Sequence, residues 1–110
     1  MASEYSFKLT RRAARDLDEI LSYIAVKLSN PTAAGDFADD LQKAIDEACT
    51  FPESGSAVIN EFLPVDYVRK KIVSKYVMYY IPDAEKKEIQ ILRIVYGRRN
   101  LSEIIEKMNS

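Results

Sequence analysis

The side chains able to do chemistry in this chain are cations and tyrosines. Arg69, Lys70, Lys71 and Lys75 precede Tyr76, Tyr79 and Tyr80, and Arg93, Tyr96, Arg98 and Arg99 follow. Such a set can grip phosphate, neutralise developing charge or hold an acidic partner. There is no His, so His-dependent acid–base or triad chemistry is excluded. The single Cys, Cys49, rules out an internal disulfide and fits a reducing, cytoplasmic setting. No zinc site and no cofactor are expected from such a set.

The net charge of −1 hides an asymmetry. Residues 1–66 carry 6 Lys and Arg against 12 Asp and Glu; residues 67–110 carry 10 against 5. An acidic first half and a basic second half suggest a polyanionic or acidic protein partner for the second. Its length of 110 residues fits one domain spanning 1–110. No apolar run approaches the ~20 residues that span a bilayer, so no membrane partner is expected. The opening MASEYSFKLTRR lacks the apolar core of a signal peptide.

The elements that must position these residues follow from periodicity. Tyr5, Phe7 and Leu9 alternate with Ser6 and Lys8, which reads as a half-buried strand. Thr10 suits a helix N-cap. Ala13, Leu17, Ile20, Leu21, Ile24 and Leu28 then form one apolar stripe, with Arg11, Arg12, Arg15, Asp16, Asp18 and Glu19 on the other faces. Asn30-Pro31 starts a second helix running to about Thr50, so the two should form an antiparallel hairpin. Phe51–Gly55 is a turn-rich exit, and Ala57–Phe62 reads as loop or irregular strand.

From Asp66 a strand is expected through Val73, then a turn at Ser74-Lys75. Tyr76–Ile81, a polar loop at Pro82–Lys87, and Glu88–Tyr96 complete a meander. Gly97–Asn100 is a corner, and Leu101–Met108 is expected as a short terminal helix. The fold class is α+β. An N-terminal strand and a helical hairpin pack on one face of a mostly antiparallel sheet, in the order β-α-α-β-β-β. The first strand can return beside the last in parallel, and the other sheet face should be open and basic. Arg93, inside an apolar run, needs a carboxylate partner and reads as structural. Arg69, Lys71, Lys75, Tyr96, Arg98 and Arg99 are the candidate contacts for a target or a phosphate.

The order of these pieces carries a resemblance. It includes Leu9–Ala13, Asp16–Ile20 with Tyr23-Ile24, Asn30-Pro31, Ala33-Ala34 with Phe37, and Phe51-Pro52. It continues through Val68-Arg69, Tyr76, Tyr79-Tyr80, Ile91–Ile94 and Gly97-Arg98-Arg99. The chain resembles the ParE/RelE superfamily of bacterial toxins, closer to ParE, over almost its whole length. The resemblance implies a RelE-like fold and the toxin half of a type II toxin–antitoxin module, of the plasmid-stabilisation kind. It implies a cognate antitoxin as partner in a hetero-oligomer, and DNA gyrase as target, bound without catalysis. Basic, partly apolar sheet edges and the groove beside the helical hairpin suit an acidic amphipathic segment that folds on binding, and a nanomolar or tighter complex with such an adjacently encoded partner is expected.

RelE-like members instead cut mRNA on the ribosome, and that chemistry needs cations and a proton-moving group at the 2′-hydroxyl. Their pattern places an Arg after the first Tyr of the Tyr76 strand, where this chain has Val77. It places an Arg after the glycine corner, matched by Arg99, and a Tyr near the end, where Ile105 falls. A ribonuclease acting on ribosome-bound mRNA is therefore the alternative. A family member that only binds a partner is a third reading.

Overall fold

A computed structural model describes residues 5–58 and 68–97. The corner at Arg98-Arg99, the terminal helix expected over Leu101–Met108, and position Ile105 lie outside them, as do Asp66 and most of Ala57–Phe62. The described elements are β1 (Ser6–Leu9), α1 (Arg11–Ser22), a π-helical turn (Tyr23–Lys27), α2 (Pro31–Thr50), β2 (Ser56–Ala57), β3 (Arg69–Val73), β4 (Tyr76–Asp83) and β5 (Glu88–Tyr96). This is the α+β arrangement expected, with a hairpin of helices on a five-stranded sheet.

Both helices start where their caps require. Thr10 Oγ1 accepts from Ala13 N at 3.0 Å, and Asn30 Oδ1 accepts from Ala33 N at 3.1 Å, with Pro31 at the first turn. The first helix departs from expectation at its end. After Ser22 it widens into the π-helical turn, and Ser29 takes a left-handed φ of 49°. Widening inserts a residue into the turn and shifts everything beyond it around the axis. Ile24 stays buried, while Leu28, expected in the stripe, is exposed.

The sheet order is β1-β5-β4-β3-β2. β3, β4 and β5 form the antiparallel meander. β1 lies parallel to β5, pairing Ser6 with Glu88 through Leu9 with Ile91. β4 runs two residues past Ile81, so Pro82, expected in the loop, pairs with Ile89 inside a strand. β3 pairs only as far as Tyr80, so among the described residues one side of β4 is open at Pro82. An edge position tolerates the missing amide.

Strand parity divides the sheet into two faces. Met78, Tyr80, Ile89, Ile91 and Ile94 pack with Phe37, Leu41 and Ile45 of α2 and Ile20 of α1. On the far face Tyr79 and Val95 pack with Val58 and Val68. That face corrects the expectation of an open basic surface. Val68, Lys70 and Ile72 share it, and Arg69, Lys71 and Val73 turn the other way, so Lys70 is the cation that β3 gives it.

Candidate functional site

The sheet edge beyond β1 explains Arg93. β1 ends at Leu9, and from Thr10 the chain turns into α1 beside β5. Thr10 N and Oγ1 donate to Ile91 O and Leu92 O, at 3.0 and 2.9 Å. One and a half turns later Asp16 faces the same strand. Its Oδ2 accepts from Arg93 Nε at 2.7 Å and from Ile94 N at 3.0 Å, and its Oδ1 accepts from Arg93 Nη2 at 3.2 Å. Arg93 is 0% exposed and Asp16 7%. A slip in register between Tyr79 and Tyr80 opposite this point marks a bulge, which re-aims side chains along a strand. Asp16 was expected on a wet face and is instead buried.

Two other candidates are also tied into the fold. Arg69 Nη1 donates to Gly55 O at 2.7 Å and Glu53 O at 3.1 Å, pinning the exit of α2 to the sheet. Lys71 forms an ion pair with Glu47 of α2, its side chain only 9% exposed. The sequence pattern did not distinguish these from Lys70, because their facing depends on the strand's phase.

Lys75 and Tyr96 lie elsewhere, and together. Both line a groove of about 820 Å³ between the helical hairpin and the end of the sheet where β3 turns into β4 and β5 finishes. Val73 pairs with Tyr76 across the two-residue turn Ser74-Lys75, and Ser74 adopts the left-handed φ of 58° that such turns favour. Lys75 O accepts from Gly97 N at 2.9 Å, which ties the last described residue to the rim.

The groove floor is aromatic. Phe37 meets Tyr76 edge-on with centroids 5.1 Å apart, and Tyr76 meets Tyr96 edge-on at 5.8 Å. Tyr23 adds a half-exposed ring. Burial pushes the Tyr76 phenol above its ordinary 10.0, and neighbouring Tyr23 and Tyr96 push it further. Tyr76 therefore stays protonated at neutral pH and is a poor base.

The walls are acidic. Glu19, Asp36 and Asp40 line the groove from the helices, against Lys75 from the sheet. Periodicity could have found them. Glu19 and Tyr23 are four apart, as are Asp36 and Asp40, so each pair shares one helix face. Among the described residues no group of His, Cys, Asp and Glu is placed to hold a metal ion, and no helix is long and apolar enough to cross a membrane.

The fold places the chain among small α+β proteins, and two solved structures that share it come from toxin–antitoxin systems. The chromosomal ParDE toxin–antitoxin system from P. aeruginosa contains a chain 29% identical, with a TM-score of 0.65. The match covers 84% of this chain and 96% of that one. A chain of the RelBE2 toxin–antitoxin complex from Mycobacterium tuberculosis shares the fold at 20% identity and a TM-score of 0.62, covering 90% and 97%. No curated protein matches the sequence.

The family itself is shown by sequence. The model of the ParE toxin of type II toxin–antitoxin systems matches residues 7–101, and this chain belongs to that family.

Proposed function

We propose that this ParE-family toxin inhibits growth by binding DNA gyrase, without catalysis of its own, and is held inactive by a cognate antitoxin. The observation that carries the binding reading is the electrostatics of the groove. Glu19, Asp36 and Asp40 surround Lys75 and Tyr96, and walls of that sign repel a phosphate backbone while accepting a protein surface. The cations that an RNA-cleaving site would recruit are engaged elsewhere. Arg93 is paired with Asp16, Lys71 with Glu47, and Arg69 with the carbonyls of Glu53 and Gly55. Position 77, an Arg in the ribonuclease pattern, is a half-buried Val on the far face. The target contacts in this reading are Lys75, Tyr96, Arg98 and Arg99. Support for the antitoxin comes from the two solved relatives, both from toxin–antitoxin systems.

Induced expression in growing cells tests the target. Filamentation with a DNA-damage response, and purified toxin blocking supercoiling by gyrase, are expected. Rapid translation arrest with cleaved mRNA would replace this reading with the ribonuclease one, and normal growth would leave only partner binding. Arg99→Ala should reduce toxicity; unchanged toxicity removes it from the contact set. Co-expression with the adjacent reading frame should yield a co-purifying partner that restores growth.

A further inference from the structure

We infer that the groove receives an arginine from the protein surface of DNA gyrase, its guanidinium held by Glu19, Asp36 and Asp40 and stacked on the rings of Tyr23 and Tyr96. The inference rests on the gyrase reading above and gives the contact its chemistry.

The carboxylates are the first ground. Asp36 and Asp40 stand one turn apart on the exposed face of α2, and Glu19 lines the same groove from α1. Like charges four apart weaken a helix. Other acids have found partners within the fold. Asp16 holds Arg93, Glu47 holds Lys71, and Asp46 accepts from Gln42 Nε2 at 2.9 Å. Among the described residues the carboxylates of Glu19, Asp36 and Asp40 are in no ion pair. Asp18 and Asp39 are unpaired as well, but they are exposed and lie outside the groove. Three negative charges around one concavity draw a cation to it and repel the DNA that gyrase carries. An acidic segment, expected from the basic second half of the chain, would meet like charge here.

The floor selects the kind of cation. Phe37, Tyr76 and Tyr96 form a row of edge-on contacts, and Tyr23 and Tyr96 are 49% and 45% exposed. A guanidinium is planar, always charged and weakly hydrated, so it can lie on a ring face and still bond two carboxylate oxygens at once. An ammonium is compact and holds its water more tightly. The apolar floor suits the methylene stem of an arginine. Lys75 lies on the sheet side of the groove, so the incoming cation belongs against the helices.

The test measures binding of the full-length chain to intact gyrase. The variants are Asp36→Asn with Asp40→Asn on α2, and Glu19→Gln on α1, all isosteric changes at exposed side chains. The double variant should bind roughly tenfold or more weakly, with inhibition of supercoiling falling in step, and Glu19→Gln should move the same way. Tyr23→Leu should weaken binding while Tyr23→Phe keeps it. Asp18→Asn with Asp39→Asn removes two charges outside the groove and should leave binding unchanged. Groove variants that bind gyrase like the wild type would overturn the inference and leave the gyrase reading standing. An equal loss in the variant at Asp18 and Asp39 would do the same. Loss of the adjacently encoded partner with gyrase binding intact would give the groove to that partner and overturn the inference too. A wild type that does not bind gyrase overturns the reading and the inference together. If one groove variant fails to fold, the other, on a separate helix, decides.

Discussion

Asp16 is the residue on which the most local structure converges. Its carboxylate accepts the backbone amide that β1, having ended, no longer covers, and it neutralises Arg93 in the same place. Removing one partner of a buried pair leaves the other charged and unsolvated. Asp16→Ala should therefore cost about 3–5 kcal/mol in urea unfolding. Replacing both, as Asp16→Leu with Arg93→Met, should cost less than the single change; an equal or larger loss would show that the Ile94 amide, not the charge, dominates. The need for a partner was legible in Arg93, a guanidinium inside a run of Ile, Leu and Val. Its identity was not, because an Asp three after Ala13 and four before Ile20 reads as surface unless its own stripe position is weighed.

Alkaline pH probes other buried side chains. Burial raises the Tyr79 phenol above 10.0, and burial with the nearby Asp46 charge raises the Cys49 thiol above 9.0. A group whose folded pKa is raised retains its proton longer in the folded state, so its contribution is full below the unfolded value. Stability should fall as pH climbs past 9.0 and again past 10.0. Tyr79→Phe should flatten the upper part of that decline and Cys49→Ala the lower part, measured by unfolding across the series. An unchanged slope would mean that the groups titrate alike in both states.

At the scale of elements, the sequence revealed what periodicity encodes. β1, the two helix starts and the order of the meander came from alternation, stripes and caps. The π-helical turn did not, because nothing in Tyr23–Lys27 distinguishes a turn of five residues from one of four, and the position of Leu28 was misread with it. Pro82 opens a polar run that reads as loop; the short partner strand makes its position an edge among the described residues, where a strand tolerates proline. The fastening between α2's exit and β4 was equally hidden. Tyr80 Oη donates to Pro52 O and accepts from Gly55 N, both at 2.9 Å, joining residues far apart in the chain. Gly55 has no room for more, since a Cβ would lie 2.6 Å from that hydroxyl and 2.7 Å from Lys70 O. Gly55→Ala should cost about 1–3 kcal/mol by overpacking. Adding Tyr80→Phe should not rescue it, because the backbone oxygen of Lys70 remains.

For the whole molecule, the charge asymmetry was legible but its geometry was not. Acids of the helices gather at the groove, two cations of β3 turn inward, and the far face is largely apolar. Which surface receives a partner depends on strand phase and on how the hairpin sits over the sheet, and single-residue periodicity does not fix either.

The parallel pairing of β1 with β5 has a temporal side. Ser6 meets Glu88 and Thr10 meets Leu92, a separation of 82 residues for the latter contact. At roughly 5–20 residues per second, synthesis takes on the order of 4–16 s to go from one to the other. Until then the first strand has no neighbour, Asp16 has no Arg93, and the sheet lacks the strand that joins its two ends. A nascent chain is thus no miniature of the finished toxin. The finished fold exists only after β5 has left the ribosome.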